Sequence, residues 1–540
     1  MNRARAAPQY PRILPVGEAA FTVEFGAAVD ATLNRRVHAL DSALAAAPPP
    51  GLQEAVPTYR ALLVRFDPTR VAAEAFRESL SRAARALPEP DALPAGRLVE
   101  LPVIYGGAAG PDLDAVAAHC GLSPDEVIAR HAAQVYTVAM LGFAPGFAYL
   151  LGLPPELATP RLATPRLRIA PGSVGIAAAQ TGIYALPTPG GWRIIGRTTR
   201  ALFDPARVAP FALQAGDRVR FVPTQDTGGR TQDAIPRPAS DLPDAMCPSA
   251  LDVLDPGLLT TVQDGGRRGW ARYGVPPSGP VDAAAFRAAN ALVGNPPDAA
   301  GLEITLTGPT LRARQACLIA VCGAEFELWA GDVPVPPWHA VYLRAGDCLR
   351  FGERQRGARA YLAVAGGLAL PAFLGSQATY LPGEFGGVGG RAVRAGDVLP
   401  LGPPPGDPVA GAGRRWPDAQ RPAYAPHPTA RVILGPQADA FTAAGLATFL
   451  SAEYVITPHS DRMGMRLQGP PVPRAGAADI VSDGVVMGSI QIPPDGQPII
   501  MLADHQTTGG YPKIATVVQD DLPLLAQALP GARVRFAQLP

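Results

Sequence analysis

Two stretches of this chain carry the same motifs in the same order, and this internal repeat constrains the fold more than any other feature. The first copy runs through residues 172–176 (GSVGI) and 189–194 (PGGWRI) and closes with AGDRVRF, which ends at Phe221. The second runs through residues 488–492 (GSIQI) and 508–514 (TGGYPKI) and closes with GARVRF, which ends at Phe536. Matching order and spacing indicate two copies of one structural unit.

The closing segment of the repeat recurs twice more, as RAGDCLRF at residues 344–351 and RAGDVLPL at residues 394–401. Where Gly-Asp occurs, it predicts a turn that leads into a strand with alternating apolar residues. The chain also spreads 62 prolines and 58 glycines over its whole length, between many short apolar runs. These features predict a mainly β protein with α+β elements, built from several related β-barrels.

Polar or Pro-rich stretches without apolar periodicity divide the chain into four domains joined by two linkers. Helical spacing near residues 29–47 and 70–87, around the strand RALLVRF, predicts a small α/β unit at the N-terminus. The predicted division is residues 1–90, 91–222, a linker 223–247, 248–402, a linker 403–428, and 429–540. At 540 residues, several domains are expected on length alone.

Charge and apolar content exclude several classes of function. The net charge of +1 lacks the basic excess typical of nucleic-acid binding, and no apolar run is long enough to cross a bilayer. The N-terminal residues lack the apolar core of a secretory signal, so we expect a cytoplasmic protein. Five scattered cysteines fit reduced thiols, and seven histidines without ligand-like spacing predict no metal site.

Lys513 is the only lysine, set against 46 arginines (47 Lys+Arg minus one). Arginine is a planar, permanently charged fork, whereas lysine is a compact point charge whose pKa responds to burial. Gly509, Gly510 and Pro512 precede Lys513 and suit a fixed loop conformation. A position that keeps lysine in such a chain is a candidate catalytic residue, although chance retention remains an alternative.

The last predicted domain carries the densest set of polar residues. Acids, amides, hydroxyls and cations crowd three short strings in a domain that should be apolar inside, so we expect a polar cavity within the terminal barrel. The candidate catalytic residues are Lys513, Asp483, Asp504 and Arg462. The candidate substrate-binding residues here are Arg466, Gln491, Gln506, Thr507 and Tyr511. As an alternative, Asp461 and Arg462 form only a structural ion pair.

Two further segments supply candidate substrate-binding residues. The segment at residues 142–152 (GFAPGFAYLLG) places aromatic residues around a Pro-Gly turn, and this is either a ligand-facing loop or a barrel corner. The second segment, at residues 260–281, is polar, and the sequence supports a structural loop and a binding site equally. It precedes an amphipathic helix predicted at residues 282–292. The candidates are Phe143, Phe147, Arg168, Gln180, Arg197, Gln263, Asp264 and Ser278.

The sequence lacks the usual nucleotide and nucleophile signatures. It has no GxxxxGK[ST] phosphate loop, no GxGxxG after a strand and no GxSxG elbow. An autonomous NTPase, dehydrogenase or serine hydrolase is therefore disfavoured.

The assembled strings resemble a fusion of the B-type and C-type subunits of 5-oxoprolinase, the allophanate hydrolase subunit 1 and 2 families. In the first half the resemblance rests on GFAPGFAYLLGLP and ATPRLATPRLRIAPGSVGIAAAQTGIYALPTPGGWRIIGRT. In the second half it rests on PGLLTTVQDGGRRGWARYGVPPSGPVD, SDRMGMRL and DHQTTGGYPKIA. The families are similar to the carboxyltransferase part of urea carboxylase, and the resemblance implies cyclophilin-like β-barrels.

The resemblance implies an ATP-dependent hydrolase that opens the lactam of 5-oxo-L-proline to L-glutamate with a separate A-type subunit. ATP is then bound by this chain or with the partner, and no biotin is attached here, because Lys513 lacks a Met-Lys-Met setting. In that reading Arg462, Arg466 and Lys513 offset phosphate or oxyanion charge, an aspartate orients water, and Gln506 and Thr507 hold the substrate.

Two alternatives stay open beside the hydrolase. The first is a carboxyltransferase component of a urea carboxylase-like system, which would accept a carboxyl group from carboxybiotin on a partner. The second is a non-enzymatic binding protein, because related B-type and C-type proteins act as a kinase inhibitor and its antagonist. A homo-oligomer is compatible with all three.

Overall fold

The N-terminal unit packs two helices against a four-stranded sheet. The computed structural model describes residues 9–89, 95–225, 249–476 and 479–539. The sheet has the strand order β1-β2-β4-β3 and is antiparallel throughout. Both predicted helices and the predicted strand are present. The elements are β1 Arg12–Pro15, β2 Ala20–Glu24, α1 Ala31–Ala46, β3 Leu52–Pro57, β4 Ala61–Phe66 and α2 Ala73–Arg85.

The second unit is a closed seven-stranded barrel with the order β10-β7-β6-β13-β5-β12-β9 and a flanking β8–β11 hairpin. Its interior is filled by apolar side chains such as Val138, Leu150 and Ile176. The elements are β5 Leu98–Tyr105, α3 Leu113–Cys120, α4 Pro124–Ala132, β6 Val135–Leu141, β7 Ala148–Leu151, β8 Arg166–Ile169, β9 Ser173–Ala177, β10 Gln180–Ile183, β11 Thr188–Gly190, β12 Arg193–Thr198 and β13 Arg218–Pro223.

The third unit is a nine-stranded sheet that wraps around its own apolar core. Helix α5 begins after the N-cap Asp282, whose side chain accepts from the Ala285 N–H, as the sequence predicts. The elements are β14 Ala250–Asp255, β15 Leu259–Gln263, α5 Ala283–Leu292, β16 Gly301–Thr305, β17 Thr310–Ala313, β18 Cys317–Ala330, β19 Val333–Val335, β20 Ala340–Leu343, β21 Cys348–Val364, β22 Val398–Pro400 and α6 Pro408–Gly411.

The last unit is a second closed seven-stranded barrel, with the order β23-β30-β27-β28-β25-β24-β31 and a separate β26–β29 ribbon. The elements are β23 Thr429–Leu434, α7 Ala443–Ser451, β24 Tyr454–Ile456, β25 Gly464–Gln468, β26 Asp483–Gly484, β27 Ser489–Gln491, β28 Ile499–Met501, β29 Thr508–Gly509, β30 Lys513–Val517, α8 Leu522–Ala526 and β31 Arg533–Gln538.

The closing segments of the repeat occupy equivalent places in the two barrels. β13 pairs parallel with β5 and antiparallel with β6, and β31 pairs parallel with β23 and antiparallel with β24. All four recurring turns place a glycine at nearly the same positive φ: Gly216 at 88°, Gly346 at 91°, Gly396 at 89° and Gly531 at 88°. The predicted barrels are therefore confirmed, as two closed barrels and one open sheet.

The two predicted linkers differ in their structure. Most of residues 223–247, with Cys247, lies outside the described residues. The second segment, residues 403–428, is packed onto the third unit, because buried Tyr424 donates a 2.7 Å hydrogen bond from its hydroxyl to Asp282. A buried aromatic anchor makes this segment part of the fold rather than a free connection. In the described ranges no helix has the length and hydropathy needed to span a membrane.

Candidate functional site

Lys513 and Asp483 form a buried ion pair on the outer face of the last barrel. Lys513 begins β30, and its Nζ lies 2.8 Å from Asp483 Oδ2 on the β26–β29 ribbon. The two side chains are 0% and 4% exposed. The other two N–H groups of Nζ have no hydrogen-bond partner among the residues that the structure describes. The ammonium therefore keeps donors free for another group.

Asp483 is held by two more donors. The Gln437 side-chain amide donates to Oδ2 at 3.2 Å, and the Gly484 N–H donates to Oδ1 at 2.8 Å. Gln437 Oε1 in turn accepts from the Lys513 backbone N–H at 3.3 Å. Gln437 thus binds both members of the pair and fixes their relative position.

The pKa values of the carboxyls around this pair diverge. Burial favours a higher pKa for Asp483, but the Lys513 ammonium and the hydrogen bonds outweigh it and bring the pKa below its ordinary value. Burial raises the pKa of Glu24 on β2, with Arg60 opposing and the charge of Asp483 adding to the rise. An aspartate kept ionised beside a more easily protonated glutamate is typical of functional sites.

A chain of amides lies beside the ribbon. Gln506 donates from its side chain to Gln491 Oε1 at 3.2 Å, and Gln491 donates to the Tyr511 carbonyl at 3.5 Å. A Cβ at Gly509 would lie 2.5 Å from the Gln491 amide nitrogen, so any larger residue there would displace this amide. The Tyr511 side chain is exposed. The sequence expectation that Gln491, Gln506 and Tyr511 come together with Lys513 in one region matches these contacts.

The aromatic segment of the first barrel reaches this region. Phe143 adopts a left-handed φ of 63°, and its N–H donates to Thr508 Oγ1 at 3.1 Å. The Phe147 ring is buried against Tyr149 and Trp192, with ring centroids at 4.6 Å and 5.5 Å. A bulky residue at positive φ is strained, and such strain persists where surrounding contacts fix it. This segment is a barrel corner that also contacts the last domain.

The polar site lies outside the terminal barrel, so the predicted location inside it is wrong. The barrel interior is filled by apolar side chains, including Ile490, Ile500 and Ile514. Asp483 belongs to the separate β26–β29 ribbon, which packs against the N-terminal unit through Leu63. A closed seven-stranded barrel is narrow enough for its own side chains to fill, which leaves the outer face for polar groups.

Arg462 and Asp504 form a separate buried network. Arg462 donates to Asp504 through Nε at 2.9 Å, to Glu303 through Nη1, and to the Gly279 carbonyl at 2.7 Å. Its guanidinium is thus occupied by partners from the third unit and the last barrel. Arg462 therefore forms a structural ion pair, but its acids are Glu303 and Asp504. The neighbouring Asp461, the partner expected from the sequence, instead accepts from the Met463 and Gly464 N–H groups.

Several predicted residues have structural partners or lie apart. Buried Gln263 accepts from the Gly279 N–H at 3.0 Å, and Asp264 accepts from Ser376 Oγ at 2.6 Å. Arg197 donates to the Pro171 carbonyl at 2.8 Å.

Other predicted substrate-binding residues lie apart from the ion pair or have no partner. Arg466 and Arg168 are exposed on strand faces, and Gln180 is half-buried on β10. The buried hydroxyls of Thr507 and Ser278 have no hydrogen-bond partner in the described part of the chain.

Sequence reasoning missed three residues next to the pair: Gln437, Glu24 and Arg60. Arg60 lies 3.6 Å from Glu24, and both come from the N-terminal unit. Glu24 ends β2 in a run of five buried residues, where a charged side chain is unusual. That anomaly is visible only once the strand is known to be buried on both faces.

This arrangement can stabilise developing negative charge. An ammonium with free N–H donors, held in a dry setting by an ionised carboxylate, acts far more strongly on an anion than it would in water. The neighbouring amides offer neutral donors and acceptors for orienting a polar substrate.

Comparison with known proteins covers both halves of the chain. Residues 11–213 match the family model described as carboxyltransferase domain, subdomain C and D, and residues 273–538 match subdomain A and B. The B-type subunit of 5-oxoprolinase from Escherichia coli O157:H7 is 45% identical over 220 residues, 40% of this chain and 98% of that protein. The C-type subunit of 5-oxoprolinase from Escherichia coli K12 is 36% identical over 291 residues, 53% of this chain and 91% of that protein.

Two further relatives differ in how much of them this chain covers. The crystal structure of TTHA0988 superimposes with a TM-score of 0.85 at 40% identity, over 96% of this chain and 99% of that one. Urea amidolyase of Lachancea kluyveri is 33% identical over 320 residues, 54% of this chain but 17% of that much longer protein.

Proposed function

The chain belongs to the carboxyltransferase-domain family that includes the B-type and C-type subunits of 5-oxoprolinase, and we propose that it is a fused B–C component of an ATP-dependent 5-oxoprolinase. With a separate A-type subunit, it would hydrolyse the lactam of 5-oxo-L-proline to L-glutamate. The support is that relatives of the B type and of the C type are each covered nearly completely. The observation that carries the proposal is the buried Lys513–Asp483 pair with free N–H donors.

Lactam hydrolysis needs such a cation because an amide carbonyl is a poor electrophile. Phosphoryl transfer from ATP to the carbonyl oxygen would activate the ring and release ADP. A water molecule would then add to the carbonyl carbon, and the C–N bond would break as the ring nitrogen takes up a proton from that water. A second water would release phosphate from the resulting γ-glutamyl phosphate and leave glutamate. Lys513 would offset the negative charge that develops on oxygen, and the amides of Gln491 and Gln506 would orient the ring.

The charged residues around Lys513 have different roles in this proposal. Asp483 holds Lys513 in place through their ion pair, and the Lys513 ammonium in turn lowers the pKa of Asp483 against the effect of burial. Arg462 and Asp504, whose hydrogen bonds are made within the protein, would act as positioning residues for the loop that carries Gln506 and Thr507. Arg466, exposed on β25, has no part in this proposal.

The test is reconstitution with an A-type 5-oxoprolinase subunit. Lys513→Met should abolish ATP-dependent glutamate formation, and Lys513→Arg should restore little of it, because the planar guanidinium does not fit an ammonium site. Arg466→Ala, which removes an exposed cation from the same barrel, is the matched control and should retain turnover. Glutamate release and phosphate release should be measured together.

Retained turnover in the Lys513→Met protein would reject the role of the lysine. Absence of 5-oxoproline-dependent phosphate release with the wild-type chain and every A-type partner would reject the enzymatic proposal and favour a binding protein.

A carboxyltransferase is the second candidate, favoured by the description of both matched family models. In that reaction Lys513 would stabilise the negative charge that develops at an acceptor nitrogen, and an aspartate such as Asp483 would take the proton of that nitrogen. The carboxyl group would pass to the nitrogen from carboxybiotin on a partner and leave biotin behind. Activity that requires a biotinylated partner and stops when avidin is added would support this function over lactam hydrolysis.

A further inference from the structure

A cavity separate from the Lys513–Asp483 pair lies between the N-terminal unit, helix α5 and the last barrel. Its volume is about 440 Å³, within the range of roughly 300–1,000 Å³ that is usual for small-molecule sites. Apolar walls come from all three units, and neither Lys513 nor Asp483 lines it. We refer to it as the interdomain cavity.

One wall of the interdomain cavity presents a histidine with a free acceptor. His505 is buried, and its Nδ1 lies 2.7 Å from the Gln506 carbonyl. A carbonyl only accepts, so Nδ1 carries the hydrogen and Nε2 carries the lone pair. Burial lowers the pKa of His505 to about 4, so the ring is neutral near pH 7. Nε2 therefore accepts a hydrogen bond from any donor that enters.

A second buried polar group on the same lining is unsatisfied. Ser278 is 8% exposed and lines the interdomain cavity, and its Oγ has no hydrogen-bond partner among the described residues. A buried hydroxyl without a partner is costly and calls for a water or ligand. The backbone at Ser278 has a positive φ of 55°, which the surrounding contacts impose.

The rim carries charges of both signs. Exposed Arg268 and Arg287 make no hydrogen bond or ion pair within the described ranges, and both keep N–H donors for a ligand. The charge of Arg268 also contributes to lowering the pKa of Asp67. Among the acids, Glu54 is already occupied by the Ala271 N–H at 2.9 Å and by Arg65. Glu18, Asp298 and Asp520 also line the cavity. Such a rim suits a ligand that has both an anionic end and a positive or N–H-bearing end.

We propose that the interdomain cavity binds a small organic acid that also carries an N–H donor, either an amino acid or a lactam acid. The carboxylate would lie at Arg268 and Arg287, and the N–H would point toward His505. The cavity adjoins the ribbon that carries Asp483, because Val485 on the cavity wall directly follows β26 and its N–H donates to the Thr507 carbonyl at 2.9 Å. A ligand here would therefore contact Val485, which directly follows the strand that carries Asp483.

Calorimetric titration of the full chain tests the proposal without partner subunit or ATP. The probes are 5-oxo-L-proline and L-glutamate, which distinguish a lactam acid from an amino acid, with 2-pyrrolidinone as the analogue lacking a carboxylate. One of the two acids should bind, and 2-pyrrolidinone should bind at least tenfold more weakly, because it cannot make the charged hydrogen bonds of a carboxylate. No binding of either acid at millimolar concentration would overturn the proposal.

Variants of cavity residues show whether the measured heat of binding comes from the interdomain cavity. Arg287→Ala removes a rim cation, and Ala284→Phe fills space from an exposed position of α5 on the same wall. Each should weaken binding roughly tenfold. Arg344→Ala, an exposed arginine that does not line the cavity, is the matched control and should leave affinity unchanged.

The same titrations in a Lys513→Met/Asp483→Asn background separate this site from the proposed reaction site. Binding that persists there and still falls with Arg287→Ala supports the proposal, even if no glutamate is ever formed. Binding that disappears in this background, or an affinity that is unchanged by both Arg287→Ala and Ala284→Phe, overturns it.

Discussion

Burying Lys513 and Asp483 costs free energy that their mutual contact must offset. Neither side chain is exposed by more than 4%. Removing one member leaves the other as an unpaired buried charge, which destabilises a protein far more than removal of both members does. The pair is therefore best tested by comparing single and double substitutions.

Lys513→Met should lower the free energy of unfolding by about 3–5 kcal/mol, because Asp483 loses its cationic partner. Lys513→Met/Asp483→Asn should recover much of that loss, since Asn removes the unpaired charge and its single oxygen keeps one of the two hydrogen bonds, from Gln437 or from Gly484. Urea denaturation of the three proteins measures this difference. Equal destabilisation in the single and double variants would contradict a tightly coupled pair, and the double variant should remain inactive.

His131 in the first barrel gives a separate pH-dependent contribution to stability. Burial lowers its pKa to about 3, and its ring nitrogens lie 2.8 Å from Tyr105 Oη and 3.2 Å from Thr181 Oγ1. The unfolded chain binds a proton near pH 6.5, whereas the folded barrel does not. Stability is therefore fully present above pH 6.5 and falls as the pH drops toward 3.

Between pH 7 and pH 5 this histidine should cost roughly 2 kcal/mol of unfolding free energy. His131→Asn should remove that part of the pH dependence, whatever it costs at pH 7. Urea denaturation at both pH values gives the change in unfolding free energy between pH 7 and pH 5 for the wild type and for the variant, and the two changes are then compared. An unchanged pH slope would show that His131 is not neutral and buried in the folded barrel.

The glycine in the recurring turn before the closing strand is needed for its left-handed backbone conformation more than for close packing. A Cβ at Gly346, Gly396 or Gly531 would meet no atom within 4 Å, whereas one at Gly172 would clash with the Thr198 carbonyl. Alanine at the three open turns therefore suffers only the left-handed backbone penalty.

Gly531→Ala should destabilise the last barrel by about 1–2 kcal/mol, the usual cost of a left-handed L-residue. Gly531→Asn should cost less, because Asn tolerates this conformation. Gly172→Ala combines the same strain with a clash and should cost clearly more. Thermal denaturation of the three variants provides the ranking, and equal values for Gly531→Ala and Gly172→Ala would contradict it.

These elements also show what the sequence could predict. Repeated Gly-turn-strand segments are local patterns, and they correctly predicted related barrels, as the amphipathic pattern of residues 282–292 predicted α5. The position of the polar site was not predictable in the same way, because β30 has two faces and local pattern does not say which faces the barrel interior. Glu24, Arg60 and Gln437 reach Lys513 only through tertiary packing, and no spacing relates them to it.

The site belongs to no single domain. Leu63 of the N-terminal unit packs on Gly484, the Phe143 N–H of the first barrel bonds Thr508, and Lys513 comes from the last barrel. Contacts that cross the two halves also include the Ala271 N–H to Glu54 bond at 2.9 Å. The relatives that match the two halves are separate proteins, so these contacts should hold without a covalent connection.

Cleavage at a protease site introduced within residues 226–248 should leave the two halves associated. The Gln519 N–H bond to Glu18 at 2.8 Å and the Arg272–Asp41 ion pair join them independently of the chain connection. Size-exclusion chromatography of the cleaved protein should give one peak at the mass of the intact chain. Adding Asp41→Ala and Glu54→Ala should promote dissociation, because the Ala271 N–H and the Arg272 guanidinium then lose partners worth about 1–3 kcal/mol each. Separate peaks for the cleaved wild-type protein would show instead that the covalent connection holds the halves together, and the composite site would then depend on fusion.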